Sequence, residues 1–339
     1  LVAVKASSPS DIIYGASIPA VTWSTTPVTT SGDWTSAPTC AVYGSSDTTF
    51  SNPLTGVHSA GKYVTHCSGG TANSYYPASS VDGSLTIAKA NSTTVITCTP
   101  TSVVYSGTAQ TPCAATVTGV GLTTTATVSY TSNINVGTAS ANSTWAGDTN
   151  HNPSSAPTVT FGITKATSTN AITCPPSVTY TGAALTPCTD VITGAGLTGT
   201  SANITYSANT NVGTATANST WAGDANHTGS SATQASFGIT KATTTNVITC
   251  PSSVTYTGAA LTPCTDVVTG AGLAATSATI TYAANTNVGT ATANSTWAGD
   301  ANHSASTATP VTFAINKATT TNTITCPASV TYTGAALTP

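Results

Sequence analysis

The stretch Cys250-Pro-Ser-Ser-Val-Thr-Tyr256-Thr-Gly258-Ala-Ala-Leu-Thr-Pro-Cys264-Thr-Asp-Val-Val268, followed by Gly289-Thr-Ala-Thr-Ala-Asn-Ser-Thr-Trp297-Ala-Gly-Asp-Ala-Asn-His303, decides the fold because the chain repeats it. Cys174, Tyr180, Cys188, Tyr206, Gly213, Trp221, Asp224 and His227 lie 76 residues before Cys250, Tyr256, Cys264, Tyr282, Gly289, Trp297, Asp300 and His303. The same step leads back to Cys98 and Trp145, and forward to Cys326. An earlier copy gains one residue before Cys113 and loses it again before Tyr130. A period this long, with cysteine and tryptophan in fixed phase, indicates a tandem array of small domains. The expected boundaries are 1–89, 90–165, 166–241, 242–317 and 318–339, the last being the start of a further, truncated repeat.

Within 242–317 the sequence predicts strands at Asn246–Cys250, Ser253–Tyr256, Cys264–Val268, Ala278–Tyr282, Gly289–Trp297 and Val311–Ile315. β-branched residues and tyrosines dominate them, and Gly, Pro, Asn and Asp turns separate them. Short strands at this spacing describe an all-β chain of small immunoglobulin-like β-sandwiches. Along Gly289–Trp297, alternation puts Ala291, Ala293, Ser295 and Trp297 on one face, with Trp297 as the expected core plug. Thr290, Thr292, Asn294 and Thr296 form the solvated face. Only the short Lys-Ala-Thr-Thr-Thr segments separate the repeats, so little swing is expected between neighbours.

Charged residues are 4% of the 339 and net charge is −3, so there is no basic footprint for nucleic acid. No transmembrane segment is evident, and no membrane insertion of this stretch is expected. Eight of the nine cysteines fall in pairs, Cys40/Cys67, Cys98/Cys113, Cys174/Cys188 and Cys250/Cys264, expected as one disulfide per domain. The partner of Cys326 would lie one position past Pro339. Paired cysteines in small β units indicate an oxidising, extracellular or cell-surface compartment. Closing a loop of about 15 residues contributes roughly 3 kcal/mol, a large share for so small a domain.

Residues 1–89 form a related but different unit, with strands expected around Ile12-Ile13-Tyr14-Gly15, Val21-Thr22-Trp23, Gly61-Lys62-Tyr63 and Val81–Ile87. The repeats resemble bacterial immunoglobulin-like repeats of the MBG type, tandem domains of secreted and cell-surface bacterial proteins. The resemblance rests on Tyr256-Thr-Gly, Leu261-Thr-Pro, Val268-Thr-Gly, Asn285-Thr-Asn-Val-Gly-Thr, Ala298-Gly-Asp-Ala-Asn-His and Thr312-Phe-Ala-Ile-Asn-Lys-Ala. Residues 1–89 look like a second MBG subtype through Tyr14-Gly15, Gly61-Lys-Tyr and Asp82-Gly-Ser-Leu-Thr-Ile. The cysteine pair departs from many such repeats, which lack it. The resemblance implies a non-enzymatic stalk, adhesin or fibre component that self-associates into a fibre or surface layer. An adhesin-type module for glycan, another cell surface or ice is the alternative.

No catalytic residues, cofactor or metal are expected. Asp300, Asn302 and His303, echoed at Asp224/Asn226/His227 and Asp148/Asn150/His151, offer one carboxylate per loop, too few oxygens for calcium and too few ligands for zinc. A triad with Ser304 has the residue types without the geometry that defines one. Lys165, Lys241 and Lys317 could form isopeptides, the first two with Asp190 or Asp266, but their place at domain junctions favours a solvated or salt-bridged role. Asn142, Asn218 and Asn294 open glycosylation sequons on the outward strand face, and Asn91, Asn203, Asn226 and Asn302 open others.

Overall fold

A computed structural model describes residues 2–73 and 77–338. The chain divides into two compact units: Leu1–Ser168 with Gly194–Thr198 and Gly223–Gly229, and Thr169–Thr193 with Gly199–Ala222 and Ser230–Pro339. The fold is all-β: the described residues hold strands and one 3-10 turn, Ser31–Asp33, but no α-helix. It is an array of small immunoglobulin-like sandwiches, each with its own cystine.

The repeat 242–317 has the simplest plan. Its first strand, Thr244–Thr249, pairs antiparallel with Thr265–Gly270. Cys250-Pro251 ends that strand, because proline has no N–H for the ladder. The chain crosses to the other layer as Ser253–Thr255, parallel to Val311–Asn316. Gly289–Trp297 lies beside Val311–Asn316 and carries Ile280–Ala283 on its far edge. A first strand split between two layers is the immunoglobulin-type arrangement.

The core follows from alternation. Ala291, Ala293 and Ser295 are buried along one strand, while Asn294 and Thr296 point outward. Their small side chains leave room for Phe313, whose backbone pairs with Ala291 and which is 2% exposed. The Tyr282 ring meets Phe313 edge-on, with centroids 6.3 Å apart. Trp297, expected as the core plug, is only half-buried, and the plug is Phe313. The tryptophan is the last residue of its strand, beyond the buried Ala291, Ala293 and Ser295, and its ring lies 6.1 Å from that of His303. The same distinction holds between Trp145 and Phe161.

Each cystine ties adjacent strands. Cys250–Cys264 spans a Cα–Cα distance of 4.3 Å, and Cys98–Cys113 joins residues directly opposite in the ladder. A tyrosine hydroxyl lids each bond in the repeats: Tyr282 accepts the Cys264 N–H at 3.2 Å, and Tyr130 accepts the Cys113 N–H while donating to its carbonyl.

The repeat 90–165 follows this plan with one addition. Leu122–Ala126 forms a hairpin that extends the Ser92–Cys98 and Cys113–Gly119 sheet. In 242–317 the Asp266 carboxylate does the corresponding work by accepting the Ala278 N–H at 2.5 Å, and the position that aligns with it in 90–165 is Ala115. Residues 1–89 build a four-stranded sheet, Ile12–Ile13, Gly83–Ala88, Gly61–Ser68 and Thr39–Gly44, over a second sheet containing Val2–Ala6 and Trp23–Thr26. Cys40 is bonded to Cys67 across the first of these. Residues 318–338 are exposed and form no strand, and Cys326 there is a free thiol.

Candidate functional site

The loop after the long strand, Gly299-Asp300-Ala301-Asn302-His303, closes on itself. Asp300 Oδ1 accepts the backbone N–H of Asn302 at 2.8 Å, that of His303 at 2.7 Å, and the ring N–H at His303 Nδ1 at 2.8 Å. Gly299 is at φ +80°, and an added Cβ would lie 2.7 Å from the His303 carbonyl oxygen, so only glycine fits. His303 is buried, and its Nε2 faces the Ala271 carbonyl at 2.9 Å. An ionised carboxylate on one ring nitrogen and a carbonyl on the other are both acceptors, which favours the protonated, doubly donating form of the His303 ring.

The electrostatics agree. The hydrogen bond to the Ala271 carbonyl raises the His303 pKa above 6.5; burial opposes it, and Asp300 reinforces it. The Val120 carbonyl and Asp148 do the same for His151. For Asp300, burial favours the neutral form, but bonds from His303 and Asn302 outweigh it and hold the carboxyl below 3.8. Asp148 and Asp224 are lowered for the same reasons.

The loop is stapled to the start of its own repeat. Ala242 donates its N–H to the Asn302 carbonyl and accepts that of Ser304, and Lys241 Nζ donates to the Asp300 carbonyl. The lysine is exposed at the junction and also donates to a carbonyl there. Its ammonium and the Asp266 carboxylate bind different partners, as do those of Lys165 and Asp190. Lys317 is exposed.

The outer side of this loop receives the preceding repeat. The Tyr180 ring stands edge-on to His303, with centroids 5.2 Å apart and planes at 86°. Asn302 Oδ1 accepts the Val212 N–H at 3.0 Å, and its Nδ2 donates to Asn211 Oδ1 at 3.2 Å. Gly182 packs so closely on Gly272 that a Cβ on Gly182 would lie 2.6 Å from the Gly272 Cα. In the first unit the same three contacts recur: Tyr105 on His227 at 5.2 Å, Val136 N–H to Asn226 Oδ1 at 3.0 Å, and Gly107 against Gly196. The different domain at the start of the chain uses them too, with Tyr14 on His151, Ala60 N–H to Asn150 Oδ1 at 2.9 Å, and Gly15 against Val120. This recurring joint is the candidate functional site.

The Asp, Asn and His weighed for metal are therefore adjacent but do not converge: Asp300 is filled by its own loop and by His303, and Asn302 points into the neighbouring repeat. Among the described residues no group of three or more His, Cys, Asp or Glu could hold a metal ion. Nor do the residues of the paper triad assemble, since Nε2 of His303 faces the Ala271 carbonyl rather than Ser304. Asn142 and Asn294 are half-buried and Asn218 is exposed, all on the outer strand face. Asn142 Oδ1 accepts from Thr158 and Asn218 Oδ1 from Gln234. The sequons at Asn226 and Asn302 lie inside joints.

Reading each residue singly missed the roles of Asn302 and Tyr180. The available signal was that Tyr-x-Gly and Asp-x-Asn-His recur in fixed phase along the chain.

The pH dependence has a definite sign. His303 and His151 have raised pKa values, so their contribution is fully present below the unfolded value of 6.5 and is lost as pH rises through the folded value. The aspartates have lowered values, so theirs is present above 3.8 and is lost as pH falls through the folded value. The other charge acting on His303 is Lys241, which opposes the shift; Tyr180 and Trp297 complete its surroundings. Thermal unfolding followed across pH should show greatest stability between 3.8 and 6.5, with a decline on both sides. Stability that rises steadily from pH 6 to 9 would contradict the clamp.

No family model and no curated protein matches this chain. Among solved structures it is similar to a tetra-tandem repeat in the extending region of a large adhesion protein, at 12% identity and a TM-score of 0.28, covering 93% of this chain and 100% of that one. It is also similar to the S-layer protein rSbsC, at 12% identity and a TM-score of 0.19, covering 93% of this chain and 54% of that one. Both likenesses are remote, and the functional reading rests on the joints instead.

Proposed function

We propose that this chain is a non-enzymatic structural segment of the MBG type, part of a stalk or filament on or outside a bacterial cell. The observation that carries the reading is the joint: the same ring contact, asparagine latch and close glycine approach recur wherever one domain meets the next within a unit. Three anchors from two different loops restrain bending and twisting together. Only Lys241–Thr243 separate the last strand of one repeat from the first of the next, so there is little free chain to flex. Four cystines fit an oxidising compartment. With 4% charged residues, little repulsion opposes association between copies in a fibre or surface layer.

The competing reading is an adhesin-type module whose exposed threonines, such as Thr290 and Thr296, meet a glycan, a cell surface or ice. Electron microscopy of native material beside a glycan array separates the two. Filaments or ordered layers with no tight glycan support the structural role. Isolated monomers that bind one glycan tightly would overturn it.

A further inference from the structure

Among the described residues, one joint surface meets no neighbour. Tyr256, Gly258, Asn287 and Val288 occupy in the repeat 242–317 the places that Tyr180, Gly182, Asn211 and Val212 occupy in the copy before it. Val136 and Val212 are half-buried at their filled joints, whereas Val288 is 47% exposed. A Cβ on Gly182 would strike Gly272, whereas one on Gly258 meets nothing within 4 Å. Among the described residues no asparagine side chain caps the Val288 N–H as Asn302 caps that of Val212.

This face is nevertheless built to the same geometry as the occupied one. Gly258 stands at φ +84° and Gly182 at +87°. Ala284 and Ala208 hold the left-handed conformation at +57° and +55°, and Gly289 and Gly213 both lie at +145°. Asn285 clamps the Leu261 backbone through the same pair of bonds that Asn209 makes to Leu185. The surface keeps its shape without a partner, so binding costs little ordering.

We infer that Tyr256, Gly258 and the Val288 N–H form a preorganised docking face for another immunoglobulin-like repeat presenting a Gly-Asp-x-Asn-His loop. The occupant's chemistry is set by the two copies of this face that are filled: a buried histidine ring to meet the tyrosine edge, an asparagine carbonyl to accept the valine N–H, and a glycine turn to admit close approach. A loop with a bulky residue at the glycine position, or without the asparagine, fits none of these. Residues 318–339 repeat 242–263 with two changes, Thr323 for Val247 and Ala328 for Ser252, so the face borders the start of a further copy. The inference rests on the joint geometry and not on the stalk reading, so either can fail without the other.

The test is amide exchange at Val288, measured by NMR in the oxidised chain and in one lengthened by appending a copy of residues 264–317 after Pro339. In the chain as it stands, Val288 should exchange at least tenfold faster than Val136 and Val212. In the lengthened chain it should slow to match them, and an alanine at the appended counterpart of Asn302 should restore fast exchange. Val288 already slow in the shorter chain would overturn the inference. So would unchanged exchange in a lengthened chain whose added cystine has formed. Should the appended repeat fail to oxidise, N302A in the original chain decides: Val212 should become as fast as Val288, and a Val212 that stays slow overturns the inference.

Discussion

Phe313→Ala should destabilise the repeat 242–317 by about 3–5 kcal/mol, far more than Trp297→Ala despite the larger ring of tryptophan. Phe313 is 2% exposed, and its neighbours Ala291 and Ala293 have no further carbons with which to close the cavity. Trp297 is half-buried at the end of its strand, so truncating it removes a partial cover and leaves no void. Denaturant unfolding of the two variants checks this. Equal losses, or a greater loss from the tryptophan, would place the core plug where the alternation pattern alone put it.

Removing the Cys250–Cys264 bond by Cys250→Ser with Cys264→Ser should cost roughly 3 kcal/mol, since the bond closes a short loop in a domain with a modest core. It should also change how the domain responds to force. The 14-residue separation of these cysteines keeps about 50 Å of chain, at 3.3–3.6 Å per residue, from extending while the bond holds. In single-molecule pulling, each unfolding step of such a repeat should therefore lengthen by about 5 nm on reduction. The Cys40–Cys67 domain, with a separation of 27, should gain roughly twice that. Step lengths indifferent to reductant would mean that the cystines do not limit extension.

The contrast between Phe313 and Trp297 marks where the sequence was legible. Alternation along Gly289–Trp297 assigns Ala291, Ala293 and Ser295 to the interior, because a pleated strand shows its faces with period two. It cannot say where the sandwich ends, and Trp297 sits at that end. The bonds from Asn226 and Asn302 reach 90 residues back along the chain, so no local pattern betrays them. Both residues look like ordinary turn formers, as their neighbours Asp224 and Asp300 in fact are. The added strand Leu122–Ala126 was equally hidden: the stretch from Gly119 to Tyr130 is one residue shorter than its later counterparts and Ala115 stands where they carry an aspartate, but neither change by itself announces a strand.

The joint's centre is most directly tested by the 15N shifts of the imidazole nitrogens of His151 and His303 at pH 6. Both nitrogens of each ring should be protonated, one held by the aspartate and the other by a backbone carbonyl, with titration midpoints above 6.5. A neutral ring with one bare nitrogen at pH 6, in the folded oxidised chain, would contradict the account.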